Sequence, residues 1–495
     1  MVGESIEATQ PQALVTNTAE NHNYGSAQMP TPRLALHVLI FFPRGGSAQV
    51  VRYLSRFLIA AETGWHVRVV AGSLGGQGEP GHAPSFFRGV ADMVTVPYDA
   101  AIRAPDPMQA NPPLHPSYED RPAAADRVFA SLDDETYEHH VAAWEVILGA
   151  PGVLDGVHLA HLHHLTPAHE ALARLAPNLP VVTHLHGTEL LMLQAIEDGG
   201  LWPHAEAWAQ RMRAWAARSA RILAPSTAAA SLGTRLLRLA PEKIVLVPNG
   251  VDPGVFDGAR ADPAERAGRW RRWLCDDPRG WTPEYPRPGS VRYEPAQLGP
   301  LLAPGAVVLL FVGRFTAVKR AALLVRAHAR ARELFGRPLP LVLWGGAPGE
   351  WEGEHPAYAA AASPWADEVY LAGWREHDDL ACALACADLV VVPSVAETFG
   401  LVYVEAMAMG VPPIACDVGG PPTFIDGDPA SPARAGWLVP PDDEAALATA
   451  LVAAARDAAE RALRGANGRA MVARRFTWPA IASDLATLYD EVADA

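Results

Sequence analysis

The chain has 495 residues, 49% of them hydrophobic, and a formal net charge of −15. That length exceeds what one core accommodates and implies two domains or three. The acidic balance excludes non-specific binding to nucleic acid or to an anionic membrane surface, while a local basic pocket for a phosphorylated ligand stays compatible with it.

Residues 1–32 are polar, rich in Asn, Thr and Gln, and lack a signal-peptide apolar region, so a disordered tail is expected there. After Arg33 the run "LALHVLIFF" has the unbroken apolarity of a strand buried on both faces. "PRGGSAQ" follows as a glycine loop opening a helix, and "WHVRVVAG" is the next strand. The alternation continues through "LDGVHLAHLHH", "LPVVTHLHG", "ARILAPS" and "KIVLVPNG", the punctuation of a doubly wound parallel sheet. Residues 97–135, rich in Pro and Asp, interrupt it as a long loop or small insertion. A second interruption, 257–304, contains "RWRRWLCDDPRGWTPEYPRPGS" and reads as an ordered excursion at a domain boundary.

A second series then begins, with strands in "GAVVLLFVGR", "LPLVLWGG", "DEVYLAG", "ADLVVVPS", "VPPIACD" and "GWLVP". The chain closes on an amphipathic helix carrying Leu485, Leu488 and Tyr489 on one side. The expected division is a tail at 1–32, a first Rossmann-like domain at 33–256, a linker or insertion at 257–304 and a second Rossmann-like domain at 305–476, with the helix of 477–495 returning to the first. The four cysteines, Cys275, Cys382, Cys386 and Cys416, follow no zinc spacing and read as thiols in a reducing cytoplasm. No stretch reaches the ~18 apolar residues of a membrane span.

In open α/β sheets, ligands lie beyond the carboxyl ends of the strands. Gly45 and Gly46 sit at such an end, where glycine serves either turn geometry or close approach to an anion. The loop lacks the GxGxxG dinucleotide fingerprint. Gly313 ends another strand, and Arg314 and Lys319 follow it, placed either to clamp a diphosphate or simply to meet solvent. The stretch "ETFGLVYVEAMAMG" is a loop and then a helix stopped by Gly410 and Pro412. Val402, Ala406 and Met409 form the stripe expected to face the core, with Leu401 and Glu405 on the neighbouring one. The backbone N–H groups near Phe399, Gly400 and Leu401 are available to an anion, flanked by Glu397 and Glu405. Either the two acids bind ligand hydroxyls, or Glu397 is a cap and Glu405 a buried acid paired to an arginine. His161, His163 and His164 invite a zinc reading, but neighbouring strand residues point to opposite faces, so a core or cleft-lining role is expected. Asp426 and Asp428 in a Gly/Pro-rich loop read as a turn, and no metal is expected.

"ETFGLVYVE" resembles the E-x7-E motif of the retaining family 4 glycosyltransferases, which have the GT-B fold. "PRGG", "HLHGTEL", "APS", "VPNGVDPGVF", "GRFTAVKR", "GGAP" and "LAGW" agree in order. The resemblance implies an α/β fold of two Rossmann-like domains facing across a cleft. It implies that Arg314 and Lys319 neutralise the donor diphosphate, that Glu405 binds the ribose and that Glu397 meets the sugar ring. Phe399, Gly400 and Leu401 would contact sugar and phosphate through their backbone, beside Gly313. His186 would stand near the sugar's 6-position and the reacting centre. Gly45 and Gly46 would approach phosphate and acceptor. The His-rich stretch departs from the family pattern, and because His163 and His164 come at a strand's carboxyl end, one of them is expected to meet the acceptor.

The activity implied is metal-independent transfer of a sugar from a UDP-, GDP- or ADP-linked donor to a small soluble acceptor, with retention and no cofactor beyond the co-substrate. The expected setting is the cytoplasm of a bacterium with GC-rich, actinobacterial coding, in specialised (antibiotic) or thiol/sugar metabolism, without nucleic-acid partners. Homodimer formation is left open. The alternatives are a non-hydrolysing sugar-nucleotide epimerase and a non-catalytic sugar-nucleotide-binding protein.

Overall fold

The computed structural model describes residues 33–495 apart from 44, 80, 91, 121–123, 201, 349 and 350, and the tail expected at 1–32 lies outside the described residues. Two parallel sheets organise the chain. The first holds β1 (Arg33–Leu39), β2 (Trp65–Ser73), β3 (Asp92–Pro97), β4 (Val157–His163), β5 (Val181–His184), β6 (Arg221–Ala224) and β7 (Ile244–Leu246), in the order β3-β2-β1-β4-β5-β6-β7. The second holds β8 (Leu309–Val312), β9 (Leu341–Trp344), β10 (Val369–Gly373), β11 (Leu389–Val392), β12 (Pro413–Cys416) and β13 (Trp437–Val439), in the order β10-β9-β8-β11-β12-β13. Both are doubly wound α/β lobes. Strand order reverses between β1 and β4, and again between β8 and β11, and such switch points open a crevice at the strands' carboxyl ends.

The apolar runs became strands because helices cover both faces, so every side chain of β9 and β11 is buried. One strand was not expected. In β3, "DMVTVP" is an edge strand whose only fully buried residue is Val96, so it lacks the apolar run that marks its neighbours. The 97–135 interruption is ordered over its described part. It lies across the carboxyl ends of β1 and β4, where the Tyr98 hydroxyl donates to the Ile40 carbonyl and that of Tyr118 to Leu165, each at 2.7 Å.

The 257–304 excursion joins the second lobe's core through Trp270, Trp273, Leu274 and Trp281. It opens with helix Pro263–Arg271, capped by Asp262 and Glu265. Trp281 Nε1 donates to the Gly346 carbonyl at 2.7 Å, and buried Arg375 binds Asp277 and the Trp273 carbonyl. The excursion therefore braces the loops that follow β9 and β10. The terminal helix Trp478–Ala493 returns to the first lobe, burying Trp478, Ile481, Leu485 and Tyr489 in the core that also holds the helix Gly46–Ala60. No helix among the described residues is long and apolar enough to cross a membrane.

Candidate active site

In the second lobe, Lys319 ends a short 3-10 turn, Ala317–Lys319, and its Nζ lies 2.5 Å from Glu397 Oε2. Gly313 and exposed Arg314 directly follow β8, and Arg314 makes no ion pair or hydrogen bond among the described residues. Glu397 lies in the loop after β11. Its carbonyl accepts from Gly420 N at 2.7 Å, which ties the loop to the one after β12. The helix Leu401–Ala408 begins at Gly400, where φ is 94° and a Cβ would meet the Tyr403 ring at 2.4 Å. Only glycine suits that turn. No side chain caps the helix, so the N–H groups of Leu401 and Val402 are left for a ligand, while Tyr403 N bonds the Gly400 carbonyl at 3.1 Å.

The stripe expected on this helix is too narrow. Every residue from Tyr403 to Met409 is buried, because neighbours pack on all sides. Phe399 is buried against Phe424 and Phe476, so only its backbone can reach a ligand. Glu405 is 4% exposed, and the arginine partner weighed for it is replaced by histidine: His377 Nε2 stands 2.7 Å from Oε1. His377 was missed in the sequence. Its one signal is position, four residues past the end of β10, in another strand-end segment.

The first lobe faces this seat. A Cβ on Gly46 would lie 3.9 Å from Leu401 Cδ1, so the glycine loop of Gly45 and Gly46 looks onto the start of the acid-bearing helix. His186 follows β5. Its backbone N donates to Glu189 Oε1 at 2.6 Å and its Nε2 lies 3.0 Å from His163 Nδ1. Glu189, in the first turn of the helix Thr188–Glu197, reaches back past the N-cap Gly187 to His186, a contact the sequence analysis did not single out. Burial opposes its ionisation, but His164 and the backbone hydrogen bonds outweigh that and hold the carboxyl below its ordinary range. His163 and His164 are both buried, at 0% and 4% exposure, so neither lines the open crevice. His163 lies under His186, and His164 bonds Glu189 Oε2 at 3.0 Å beside Phe41 and Tyr118.

The two lobes touch at Thr398. Its carbonyl accepts from Ser226 Oγ at 2.7 Å, and a Cβ on Gly187 would stand 1.7 Å from its Oγ1. Tyr53 of the first lobe reaches His377 Nδ1 at 3.5 Å. Gly45, Gly46, His186, Glu397, Leu401 and Glu405 are thus brought to one crevice from segments as far apart as 45 and 405.

Two doubly wound parallel-sheet lobes closed over such a crevice define the GT-B class. Residues 44–255 match the family model described as Glycosyltransferase Family 4, and residues 306–457 that of Glycosyl transferases group 1. The D-inositol 3-phosphate glycosyltransferase of Stackebrandtia nassauensis is 34% identical over 283 residues, 56% of this chain and 55% of that relative. D-inositol 3-phosphate glycosyltransferase 1 of Catenulispora acidiphila is 31% identical over 351 residues, 69% of this chain and 73% of that one. The match spans about half the length of the first of these relatives. Among solved structures, sucrose-phosphate synthase from Thermosynechococcus elongatus superposes with a TM-score of 0.64 at 22% identity, over 93% of this chain and 98% of that one, a likeness of fold. The chain belongs to the family 4, group 1 glycosyltransferases.

Proposed function

We propose that this protein transfers a sugar from a nucleoside-diphosphate donor to a small acceptor with retention at the anomeric carbon. The observation that carries the reading is the Lys319–Glu397 pair beside an uncapped helix start and buried Glu405, at the switch point of the second lobe. A leaving diphosphate gains negative charge as its bond to the sugar breaks. Lys319, Arg314 and the helix N–H groups suit that charge, and fixed donors in a dry crevice need little reorganisation. Glu405 has Oε1 engaged by His377, which leaves Oε2 to accept from a ribose hydroxyl. Glu397, held by Lys319, accepts from the sugar's hydroxyls, and His186 stands at the reacting centre.

The acceptor oxygen bonds to the anomeric carbon as the carbon–oxygen bond to diphosphate breaks on the same face. The acceptor's proton passes to the departing diphosphate oxygen. D-inositol 3-phosphate, named in the relatives' activities, is the first acceptor to test. Thermal-shift screening against UDP, GDP, ADP and dTDP selects the donor base. Nucleoside diphosphate release that requires both donor and acceptor supports transfer, and conversion of donor alone favours the epimerase. Donor affinity unchanged in Glu405→Ala overturns the assignment of the seat.

A further inference from the structure

Five imidazoles meet at the carboxyl ends of β1, β4 and β5: those of His37, His161, His163, His184 and His186. Strand register explains the gathering. His37 pairs with His161 across β1 and β4, and His163 pairs with His184 across β4 and β5. A period of two puts His161 and His163 on one face of β4.

Two sets of three place one ring nitrogen each within 4.8 Å of the others: His37, His161 and His163, and His163, His184 and His186. In the first set every ring has a hydrogen bond, with only His161 Nε2 left without a partner. The fully buried Tyr489 hydroxyl lies 3.0 Å from His37 Nε2 and also bonds His161 Nδ1. Hydrogen bonds do not account for the second. His184 is 0% exposed, and neither of its ring nitrogens has a partner. A buried imidazole with both nitrogens idle is unfavourable, and such groups call for an explanation.

We propose that His163, His184 and His186 form a site for a divalent transition-metal ion of the zinc class. His163 Nδ1 and His186 Nε2 stand 3.0 Å apart. Two nitrogens on a tetrahedral ion with bonds of ~2.0–2.1 Å stand about 3.3 Å apart. The surroundings supply an outer layer. His163 Nε2 lies 3.4 Å from His37 Nδ1, His37 leads on to Tyr489, and Glu189 holds the backbone of His186. The His184 and His186 rings stack at 4.7 Å. Three imidazoles suit zinc, copper, nickel or cobalt rather than magnesium or calcium. His186 is half-buried, so the fourth position opens toward the crevice. The site is built from the first lobe alone and meets the crevice through His186, and it leaves the roles of Arg314 and Lys319 unchanged.

The proposal does not rest on the transfer reading, because metal content is measured without turnover. The untagged full-length protein is dialysed and its metals counted by mass spectrometry, then stripped with chelator and titrated with Co2+ and with Zn2+. The wild type should hold about one ion per chain, show the visible bands of tetrahedral cobalt and melt higher with Zn2+. His184→Ala should lose the ion by about tenfold or more. If that variant does not fold, His186→Asn, at the crevice surface, should show the same loss. Less than about 0.1 ion per chain, with no cobalt bands and no Zn2+ shift, overturns the site and leaves a stacked cluster of neutral rings. So does an ion retained in full by both variants.

Discussion

Lys319 and Glu397 hold each other at 2.5 Å with most of both side chains shielded from solvent. Such a pair keeps the ammonium in place before a donor arrives, so little rearrangement is needed as charge builds on the diphosphate. Lys319→Ala should therefore lower kcat by about 10²–10³-fold, read from nucleoside diphosphate release. A kcat within twofold of wild type would argue that the lysine only anchors Glu397. The two acids and the basic pair were legible in the chain as candidates, because the E-x7-E spacing and the basic pair are local patterns. The partner of Glu405 was not. His377 and Glu405 stand on different helices, and nothing in the spacing of either segment encodes their 2.7 Å contact.

The helix Asp134–Leu148 buries His140, and the helix Ala168–Leu175 buries His169, which bonds Thr183 Oγ1 at 2.9 Å. Burial lowers both from an ordinary 6.5 to about 3. Both rings are neutral in the fold, while the unfolded chain takes up protons below pH 6.5. Their contribution is thus complete above that pH and lost as pH falls toward 3, at about 1.4 kcal/mol per pH unit for each ring. The melting temperature should fall from pH 7 to pH 5, and His140→Asn should flatten the decline. A slope identical in the variant would remove His140 from the explanation. At this scale the apolar runs announced most strands, since strands buried on both faces need no partner to be recognised. Edge strand β3 escaped for lack of apolarity; the tryptophan-rich excursion was legible as an ordered insertion, but not its docking, because its packing partners, Gly346 and Arg375, come much later in the chain.

Closure of the two lobes depends on Gly187, where φ is 107° and the neighbouring lobe leaves no room for a side chain. Gly187→Ala should hold the lobes apart at Thr398 and strain the turn. Turnover should drop at least about tenfold, since misplacing reacting groups by 1 Å costs up to ~10²-fold. Donor binding to the second lobe should persist, and calorimetry with nucleoside diphosphate checks this. The terminal helix adds a further link between the lobes. Val251 and Thr477 bridge the two crossings of the hinge, and Leu485, 1% exposed, seals the helix into the first lobe's core. Leu485→Ala should cost about 2–5 kcal/mol, measured by denaturant unfolding, with the loss falling on the first lobe. A midpoint shift small enough to imply under about 1 kcal/mol would mean the helix is only lightly docked.

By itself the sequence determined that the chain forms two doubly wound lobes, and it marked the acids and cations of the second. Strand periodicity, helix stops and motif spacing are properties of neighbouring residues, and they survive being read along one dimension. Tertiary structure alone decided which segments converge. The meeting of Thr398 with Gly187, of His377 with Glu405, and of five imidazoles across three strands follows from register and lobe closure. Those depend on packing between segments far apart in the chain, for which no local pattern carries a distance.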